Sequence, residues 1–263
     1  MTTTDTQKLK KGEGENASPA PLSIGKRIWA EIKFFAGLFV FLLFFLTLVW
    51  GHYKIPSESM QPTLEVGDHL YVSKFAYGYS RHSLPFNLYK LPFLKDGKVF
   101  SRLPKYGDVV VFRNPANDLV MIKRLVGLPG DTVQVKGGQL YLNNEIVTRD
   151  PVDAFLYREH KGRVVGVDSY AEQLPGEAQS HIIYEQTDIG YLDDTEVFNV
   201  PEGHVFFMGD NRDNSVDSRA PSGPGYVPVD HLMGRADLMM FSFKRCTDEK
   251  DLRCPPFRFA KKL

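Results

Sequence analysis

The stretch from Asp108 to Leu142, DVVVFRNPANDLVMIKRLVGLPGDTVQVKGGQLYL, alternates short apolar runs with turn-forming residues. Two of its runs, Asp108–Phe112 and Val120–Val126, are each closed by a segment rich in Pro, Gly or Asn, which is typical of strands. The last two runs, Thr132–Lys136 and Gln139–Leu142, flank Gly137-Gly138 and so predict a hairpin with a two-residue loop. The stretch therefore indicates a β fold.

Further along the chain the same pattern continues. Apolar runs at 205–208 and 238–243 predict additional strands, and no helical period is sustained over a comparable length. The fold class expected beyond the N-terminal segment is therefore mainly β.

The N-terminal segment differs from the rest in hydropathy. Phe34–Trp50 reads FFAGLFVFLLFFLTLVW, 17 residues without a charge, which as a helix would span roughly 26 Å of a ~30 Å hydrocarbon core. A buried core helix is the alternative, but such helices are seldom apolar on every face. A cleavable signal peptide would carry an Ala-x-Ala-like site after a shorter apolar run, and Gly51-His52-Tyr53-Lys54 does not resemble one. We expect a single uncleaved transmembrane anchor at 28–52.

The distribution of basic residues predicts the orientation of that anchor. Only Lys54 is basic in the twenty residues after Trp50, whereas the preceding segment carries Lys8, Lys10, Lys11, Lys26, Arg27 and Lys33. The positive-inside rule then places residues 1–27 in the cytoplasm, as a disordered tail, and residues 51–263 across the membrane.

Composition excludes several classes of protein. The 263 residues contain 32 Lys+Arg and 32 Asp+Glu, so the net charge of zero lacks the electrostatic footprint of a nucleic-acid binder. Two cysteines form neither a disulfide scaffold nor a four-cysteine zinc site. The seven histidines contain no His-Glu-x-x-His motif, which argues against metalloprotease chemistry.

Residues 150–199 are polar and weakly patterned compared with the strands around them. We therefore expect a β-rich insertion or cap at 136–199, a catalytic core formed by 53–135 with 200–245, and a C-terminal tail at 246–263.

Lys123 is the first candidate for chemistry. In a strand its face-mates are Met121 and Leu125, and desolvation on an apolar face favours a neutral amine that can act as a general base. The alternative is an edge lysine that reaches solvent or pairs with an acid. Arg124 points to the opposite face and is a poor base.

Two serines lie on a constrained segment just after the anchor. Ser57 and Ser59 stand between Pro56 and Pro62, which favour an extended turn that can direct a hydroxyl and backbone N–H groups to one point.

The segment 209–219, GDNRDNSVDSR, is acidic and rich in turn residues. Counted from Asp213, an EF-hand calcium loop fails at position six, Ser218, and at position twelve, Pro224. A turn-dense structural loop remains the alternative to a catalytic role.

Four segments, in this order after an N-terminal anchor, resemble the bacterial type I signal peptidases, membrane-bound serine proteases with a Ser/Lys dyad. Ser-x-Ser-Met alone is a weak signal, but together with Lys-Arg-x-Val-Gly-x-Pro-Gly-Asp and Gly-Asp-Asn-x-x-x-Ser-x-Asp-Ser-Arg it is highly specific. The segments are Ile55–Leu64, Gly107–Pro115, Ile122–Asp131 and Gly209–Arg219.

The resemblance implies a role for each matching residue. Ser59 would be the nucleophile, Lys123 its general base, and the Ser59 N–H with the Ser57 hydroxyl the oxyanion hole. Ser215 would orient the lysine amine through a hydrogen bond, with supporting ion pairs between Asp217 and Arg219 and between Asp210 and Arg124. Glu58 and Met121 depart from residues frequent in relatives, Gly and Tyr, without removing a reacting group.

The resemblance also implies a cellular setting. The substrate would be the signal peptide of a secreted preprotein, cut after an Ala-x-Ala-like site, at the bacterial inner membrane with the catalytic domain in the periplasm. The lipid bilayer and the secretion translocon are the partners expected, with no cofactor, metal or nucleic acid.

Other protein families that use a Ser/Lys pair match this sequence less well. The lactamase and penicillin-binding signature requires Lys three residues after Ser, where this chain has Pro62. Self-cleaving repressors carry a DNA-binding domain and no anchor. A membrane-tethered, non-enzymatic scaffold on the same β core remains the alternative outside enzymes.

The two cysteines lie close together near the C-terminus. In an oxidising periplasm we expect Cys246 and Cys254 to form a disulfide, worth roughly 2–3 kcal/mol in the loop-entropy model. The alternative is a pair of free, partly buried thiols.

Overall fold

In the residues that the computed structural model describes, one apolar α-helix is followed by many strands. The helix and the strands occupy separate parts of the sequence, and the chain divides into two compact units, Met1–Leu43 and Phe44–Leu263. The described residues are 23–83, 98–242, 249, 251–254 and 257–263.

The N-terminal element is the helix α1, Ile24–Leu48. Its window Ile24–Phe45 has a mean hydropathy of 2.0 with no part of it buried, so length and composition suit a membrane span. The helix starts earlier than the expected anchor at 28–52, and Ile24–Arg27, expected in the disordered tail, are helical. Residues 1–22 of that tail lie outside the described residues. At the other end, residues 50–52 belong to a strand, because their backbone pairs with Tyr71, Val72 and Ser73.

The part of the chain described after α1 is mainly β, as predicted. Its strands are β1 (Trp50–Lys54), β2 (Asp68–Ser73), β3 (Tyr79–Ser80), β4 (Lys98–Val99), β5 (Val109–Arg113), β6 (Val120–Gly127), β7 (Thr132–Lys136), β8 (Gln139–Leu142), β9 (Glu145–Ile146), β10 (Arg149–Arg158), β11 (Val164–Glu172), β12 (His181–Glu185), β13 (Phe198–Asn199), β14 (His204–Met208), β15 (Val227–Pro228), β16 (Leu232–Ser242) and β17 (Phe259–Lys262).

One large antiparallel sheet runs in the order β1-β2-β16-β5-β6-β14-β15, and β17 pairs with β16. Strand β16 pairs with β5 from Leu232 to Arg235 and with β2 from Arg235 to Ser242, and its register shifts between Leu232 and Gly234 and again between Ala236 and Leu238. Such bulges increase local bend and twist, so the long strand links the two halves of the sheet.

The predicted hairpin forms, with Lys136 paired to Gln139. Gly137 and Gly138 have φ values of 52° and 71°, the left-handed pair that a type I′ turn requires and that glycine adopts without strain. This hairpin belongs to a small sheet, β13-β7-β8-β9, so the expected boundary between core and cap at 135/136 falls inside one hairpin. A further sheet, β10-β11-β12, covers much of the polar stretch expected to be the cap.

The two candidate serines lie in the segment between β1 and β2, the serine-bearing segment, which buried apolar side chains hold in place. Ile55, Met60 and Leu64 are each at most 2% exposed and pack with β2, β5 and β16. On another face of the sheet, Phe112 and Phe207 stack with ring centroids 4.4 Å apart. Burial of this order contributes roughly 1.5–3 kcal/mol per side chain, so the serine-bearing segment is held by its own apolar residues.

Candidate active site

Ser59 lies in a tight turn of the segment between β1 and β2. The turn is closed by hydrogen bonds from Gln61 N to Glu58 O, at 3.0 Å, and from Leu64 N to Met60 O, at 2.8 Å. Ser59 is 7% exposed, and its carbonyl accepts a hydrogen bond from Asn211 N at 3.2 Å. The hydroxyl is therefore carried by backbone that is fixed on both sides.

Lys123 comes from the middle of β6, opposite Val110 of β5. It is 4% exposed, and its Nζ donates a hydrogen bond to Ser59 Oγ. Leu125 and Met121 pack in the same apolar cluster, as the strand pattern predicts. Burial lowers the pKa of Lys123 to about 8, and the negative charges of Asp217 and Asp210 oppose that shift. The alternative of an edge lysine in solvent is therefore wrong.

Ser57 lies beside this pair. Its side chain is exposed, and its Oγ is 3.4 Å from Ser59 Oγ, so the two hydroxyls share one side of the turn. A hydroxyl at that position is within reach of an oxyanion that forms next to Ser59.

Arg124 leaves β6 on the opposite face and forms a buried, bidentate pair with Asp210. Its Nε lies 2.8 Å from Asp210 Oδ1 and its Nη2 2.7 Å from Oδ2. The same guanidinium donates to Gly107 O at 2.7 Å and to Thr63 Oγ1 at 3.2 Å. Burial disfavours ionisation of Asp210, but the Arg124 charge outweighs it and the pKa of Asp210 is lowered. This pair thus joins β6 to the segment 209–219, which is named the catalytic loop below after the role that the sequence resemblance implies for it.

A second buried pair braces the catalytic loop from within. Arg219 donates to Asp217 through Nε at 3.0 Å and through Nη2 at 2.9 Å, and Asp217 also accepts from Gly209 N at 2.9 Å. Burial alone would raise the pKa of Asp217, but the Arg219 charge and these hydrogen bonds lower it. Both ion pairs implied by the sequence resemblance are therefore present.

Ser215 does not form the hydrogen bond to Lys123 that the resemblance implies. It is 5% exposed, and among the described residues its hydroxyl has no hydrogen-bond partner of regular geometry. The hydroxyl lies instead toward Asp217, where it helps to lower the pKa of that carboxyl. A Cβ at Gly209 would overlap the Ser215 side chain and the Ser59 carbonyl, so only glycine allows these two segments to approach so closely.

The structure adds residues that sequence reasoning missed. The Asn211 side chain donates to Tyr157 Oη at 3.2 Å and to Glu58 O at 3.3 Å, and Glu58 Oε1 accepts from His160 N at 2.6 Å. Asn211 belongs to a segment that the sequence singles out, but its partner Tyr157 comes from β10, and His160, the partner of Glu58, comes from the turn after β10. No local pattern connects such distant segments.

A cavity of about 1090 Å³ lies next to the serine-bearing segment. Its lining combines that segment, the β10-β11-β12 sheet and the C-terminal residues, and includes Gln61, Thr63, Phe155, Tyr157, Tyr184 and Arg258. It offers an aromatic and polar surface beside Gln61 and Thr63, which follow Ser59 closely in the chain, on the side of the expected cap.

Cys254 is disulfide-bonded. Cys246, the other cysteine in the sequence and its expected partner, lies outside the described residues, so the pairing itself stays a prediction.

Comparison with known proteins points in the same direction as the motifs. Residues 28–241 match the family described as "Signal peptidase, peptidase S26". The Signal peptidase I of Rickettsia canadensis (strain McKiel) is 36% identical over 222 residues, covering 81% of this chain and 80% of the relative. That of Rickettsia prowazekii (strain Madrid E) is 34% identical over 231 residues, covering 85% and 84%.

Among solved structures, a crystal structure of a signal peptidase I from Enterococcus faecalis V583 matches with 26% identity and a TM-score of 0.31. The match covers 51% of this chain and 97% of that one. From the family match and the two curated relatives, the chain belongs to the signal peptidase family, peptidase S26.

Proposed function

We propose that this protein is a membrane-anchored serine endopeptidase that removes signal peptides from secreted preproteins after Ala-x-Ala-like sites. Ser59 is the nucleophile and Lys123 the general base. The observation that carries the proposal is the buried Lys123 amine, with its pKa lowered to about 8, in hydrogen-bond contact with Ser59 Oγ. A serine hydroxyl is a weak nucleophile by itself, and a neutral amine in contact with it supplies the missing base.

The mechanism follows from this contact. The neutral amine of Lys123 takes the Ser59 proton as Oγ attacks the scissile carbonyl. The Ser59 N–H and the Ser57 hydroxyl stabilise the oxyanion, and the lysine then donates the proton to the leaving amine. A water activated by the same lysine hydrolyses the acyl-enzyme. The ion pairs Asp210–Arg124 and Asp217–Arg219 hold the catalytic loop against β6 and Ser59 during these steps.

The anchor gives this chemistry its location. In the proposed topology α1 crosses the bacterial inner membrane with the N-terminus in the cytoplasm and residues 51–263 in the periplasm, because the basic residues precede the span. Ser59 follows Trp50 by nine residues, which keeps the nucleophile near the bilayer surface where a signal peptide ends. Confinement of enzyme and substrate to one surface raises their effective concentration. The secretion translocon, which delivers preproteins, is the expected neighbour.

A preprotein processing assay tests the proposal. The purified chain should cleave a preprotein at its Ala-x-Ala site, and Ser59→Ala or Lys123→Met should each lower the rate by at least about a thousandfold, because each removes a reacting group. The exposed residues Ser222 and Lys136 provide matched controls, since Ser222→Ala and Lys136→Met make the same chemical changes away from the site. Thermal unfolding should show that all four variants fold. Processing that survives Ser59→Ala would exclude Ser59 as the nucleophile.

A further inference from the structure

Three carboxylates from separate segments, one of them in the catalytic loop, lie close together. Glu185 ends β12, Asp193 lies in the loop that follows, and Asp213 lies in the short 3₁₀ turn Arg212–Asn214. One oxygen of each carboxylate lies within 4.8 Å of the other two. Glu185 is 2% exposed and Asp193 1% exposed, so two of the three carboxylates are removed from solvent.

Two of these carboxylates each have a buried oxygen that accepts no hydrogen bond from the described residues. Glu185 Oε2 and Asp193 Oδ1 are inaccessible and have no hydrogen-bond partner among the described residues. A buried, unsatisfied polar atom costs roughly 1–3 kcal/mol, and more when it is charged, so such atoms usually mark an absent water, proton or ion.

The backbone around the cluster holds the carboxylates by their other oxygens. Asp213 Oδ2 accepts from Gln186 N at 2.6 Å and Thr187 N at 3.0 Å, and Asp193 Oδ2 accepts from Gly190 N at 2.5 Å. A Cβ at Gly190 would come within 3.0 Å of Asp213 Oδ1 and 3.1 Å of Asp193 Oδ2. The bare glycine therefore keeps space next to oxygens that are already oriented.

Most of the guanidinium groups near the carboxylate cluster form ion pairs with carboxylates outside it. Arg219 is paired with Asp217, and Arg212 donates to Glu172, so each already has a buried carboxylate. These two arginines supply positive potential, but neither forms an ion pair with the cluster among the described residues.

Arg149 is the only guanidinium in the described residues that pairs with the cluster, and it is shared. Its Nη1 is 3.4 Å from Glu185 Oε1, while its Nη2 is 3.3 Å from Asp188 Oδ1. Burial raises the pKa of Glu185 to about 8; Arg212 opposes that shift, and the charges of Asp213 and Asp193 add to it. The charges of the three carboxylates therefore disfavour one another, and a bound cation would relieve that repulsion.

We propose that Glu185, Asp193 and Asp213 bind a calcium ion that joins the loop after β12 to the catalytic loop. Hard carboxylate oxygens suit Ca²⁺ and Mg²⁺ rather than softer metals. Ca²⁺ takes six to eight oxygen ligands in flexible geometry, whereas Mg²⁺ demands a near-ideal octahedron and keeps several of its waters, so three protein carboxylates from separate segments favour calcium. Water fills the remaining coordination positions.

The EF-hand pattern, in which one continuous loop of twelve residues supplies the ligands, does not describe this site. Its residues come from three segments, and only the tertiary structure brings them together. Asp213 stands two residues after Asn211, whose N–H donates to the Ser59 carbonyl, so the ion would fix the loop that supports the nucleophile. Its effect on stability does not depend on the proposed peptidase activity.

The proposal can be tested on the full-length chain in detergent, after a chelator has removed bound metal. Calorimetric titration measures the binding of calcium, and thermal unfolding measures its effect on stability. We expect one-site binding of CaCl₂ and a rise in Tm of at least about 3 °C in excess calcium, because an ion that binds the folded state alone stabilises it. Magnesium should bind at least about tenfold more weakly.

Amide variants locate the binding. Asp193→Asn and Asp213→Asn should abolish the calcium-dependent rise in Tm. Glu196→Gln makes the equivalent change at an exposed position of the same loop and should retain it. Absence of any calcium response in the wild-type chain would overturn the proposal even if the amide variants fail to fold. So would an equal response in the wild type and in Asp193→Asn, since the ion would then bind elsewhere.

Discussion

At the scale of single residues, the environment of Lys123 decides the proposed chemistry. The sequence places it between Met121 and Leu125 on one face of a strand, and the structure buries the amine to 4% exposure next to Ser59. Burial disfavours the charged form and lowers the pKa of the lysine to about 8. Lysine in solvent has a pKa near 10.4, so only the folded chain makes this residue a useful base.

The pH dependence of processing follows from that lowered pKa. In the proposed mechanism the base is the neutral amine, so kcat/KM should fall about tenfold per pH unit below about 8 and level off above it. Measurement of kcat/KM between pH 6 and pH 10 checks this. A midpoint near 10.4, the value for a solvated lysine, would contradict the assignment.

Glu185 is a second group expected to titrate near pH 8. The Glu185→Gln variant therefore separates the two, because a midpoint that belongs to Lys123 should persist when this carboxyl is replaced.

At the scale of elements, buried ion pairs hold the catalytic loop in register with β6. The Arg124 side chain reaches Asp210, Gly107 and Thr63, and Gly209 allows the backbone to approach Ser59 and Ser215 closely. The position of the catalytic loop thus depends on paired charges and on glycine at position 209, which has no side chain, in addition to apolar packing.

Removal of one partner from the Asp210–Arg124 pair should be costly. Asp210 is 1% exposed, so Asp210→Ala removes the bidentate partner of the buried Arg124 charge and leaves it, among the acids of the described residues, only the longer contact with Glu177, at 3.8 Å. The change should lower the free energy of unfolding by about 3 kcal/mol. Asp153→Ala breaks the pair between Asp153, whose side chain is 54% exposed, and Arg253, whose side chain is 49% exposed. This change should lower the free energy of unfolding by less than about 1 kcal/mol. Denaturant unfolding of both variants measures the difference. Equal costs would show that burial does not set the strength of the Asp210 pair.

At the scale of the whole molecule, the chain consists of an apolar helix unit and a larger β unit. The net charge of zero combines a basic segment before the span with acidic segments after it, such as the catalytic loop. Composition averaged over the chain hides this asymmetry, whereas its distribution along the sequence predicts the topology.

Protease accessibility tests that topology in bacterial cells. Protease added to spheroplasts should digest the β unit, and cytoplasmic-side-out vesicles should protect it, because the basic flank keeps the N-terminus in the cytoplasm. A cytosolic marker protein should remain intact in the same spheroplasts. Protection of the β unit in spheroplasts would contradict the proposed orientation.

The sequence by itself determined the local features of the protein. The apolar run predicted α1, alternation and Gly137-Gly138 predicted the β7–β8 hairpin, and the motifs indicated Ser59, Lys123 and both buried ion pairs. Such features depend on residues close in the chain or on a known set of motifs, so a linear pattern carries them. The end of the anchor was misplaced at residue 52, because the backbone pairing of Gly51 and His52 with β2 outweighs their position next to an apolar run.

Only the tertiary structure decided which distant groups meet. It brought Tyr157 to Asn211 and His160 to Glu58, placed the Ser215 hydroxyl near Asp217 without a hydrogen bond to Lys123, and assembled Glu185, Asp193 and Asp213 from three segments. These contacts depend on packing and desolvation summed over the whole β unit, and no single segment of the sequence encodes that sum.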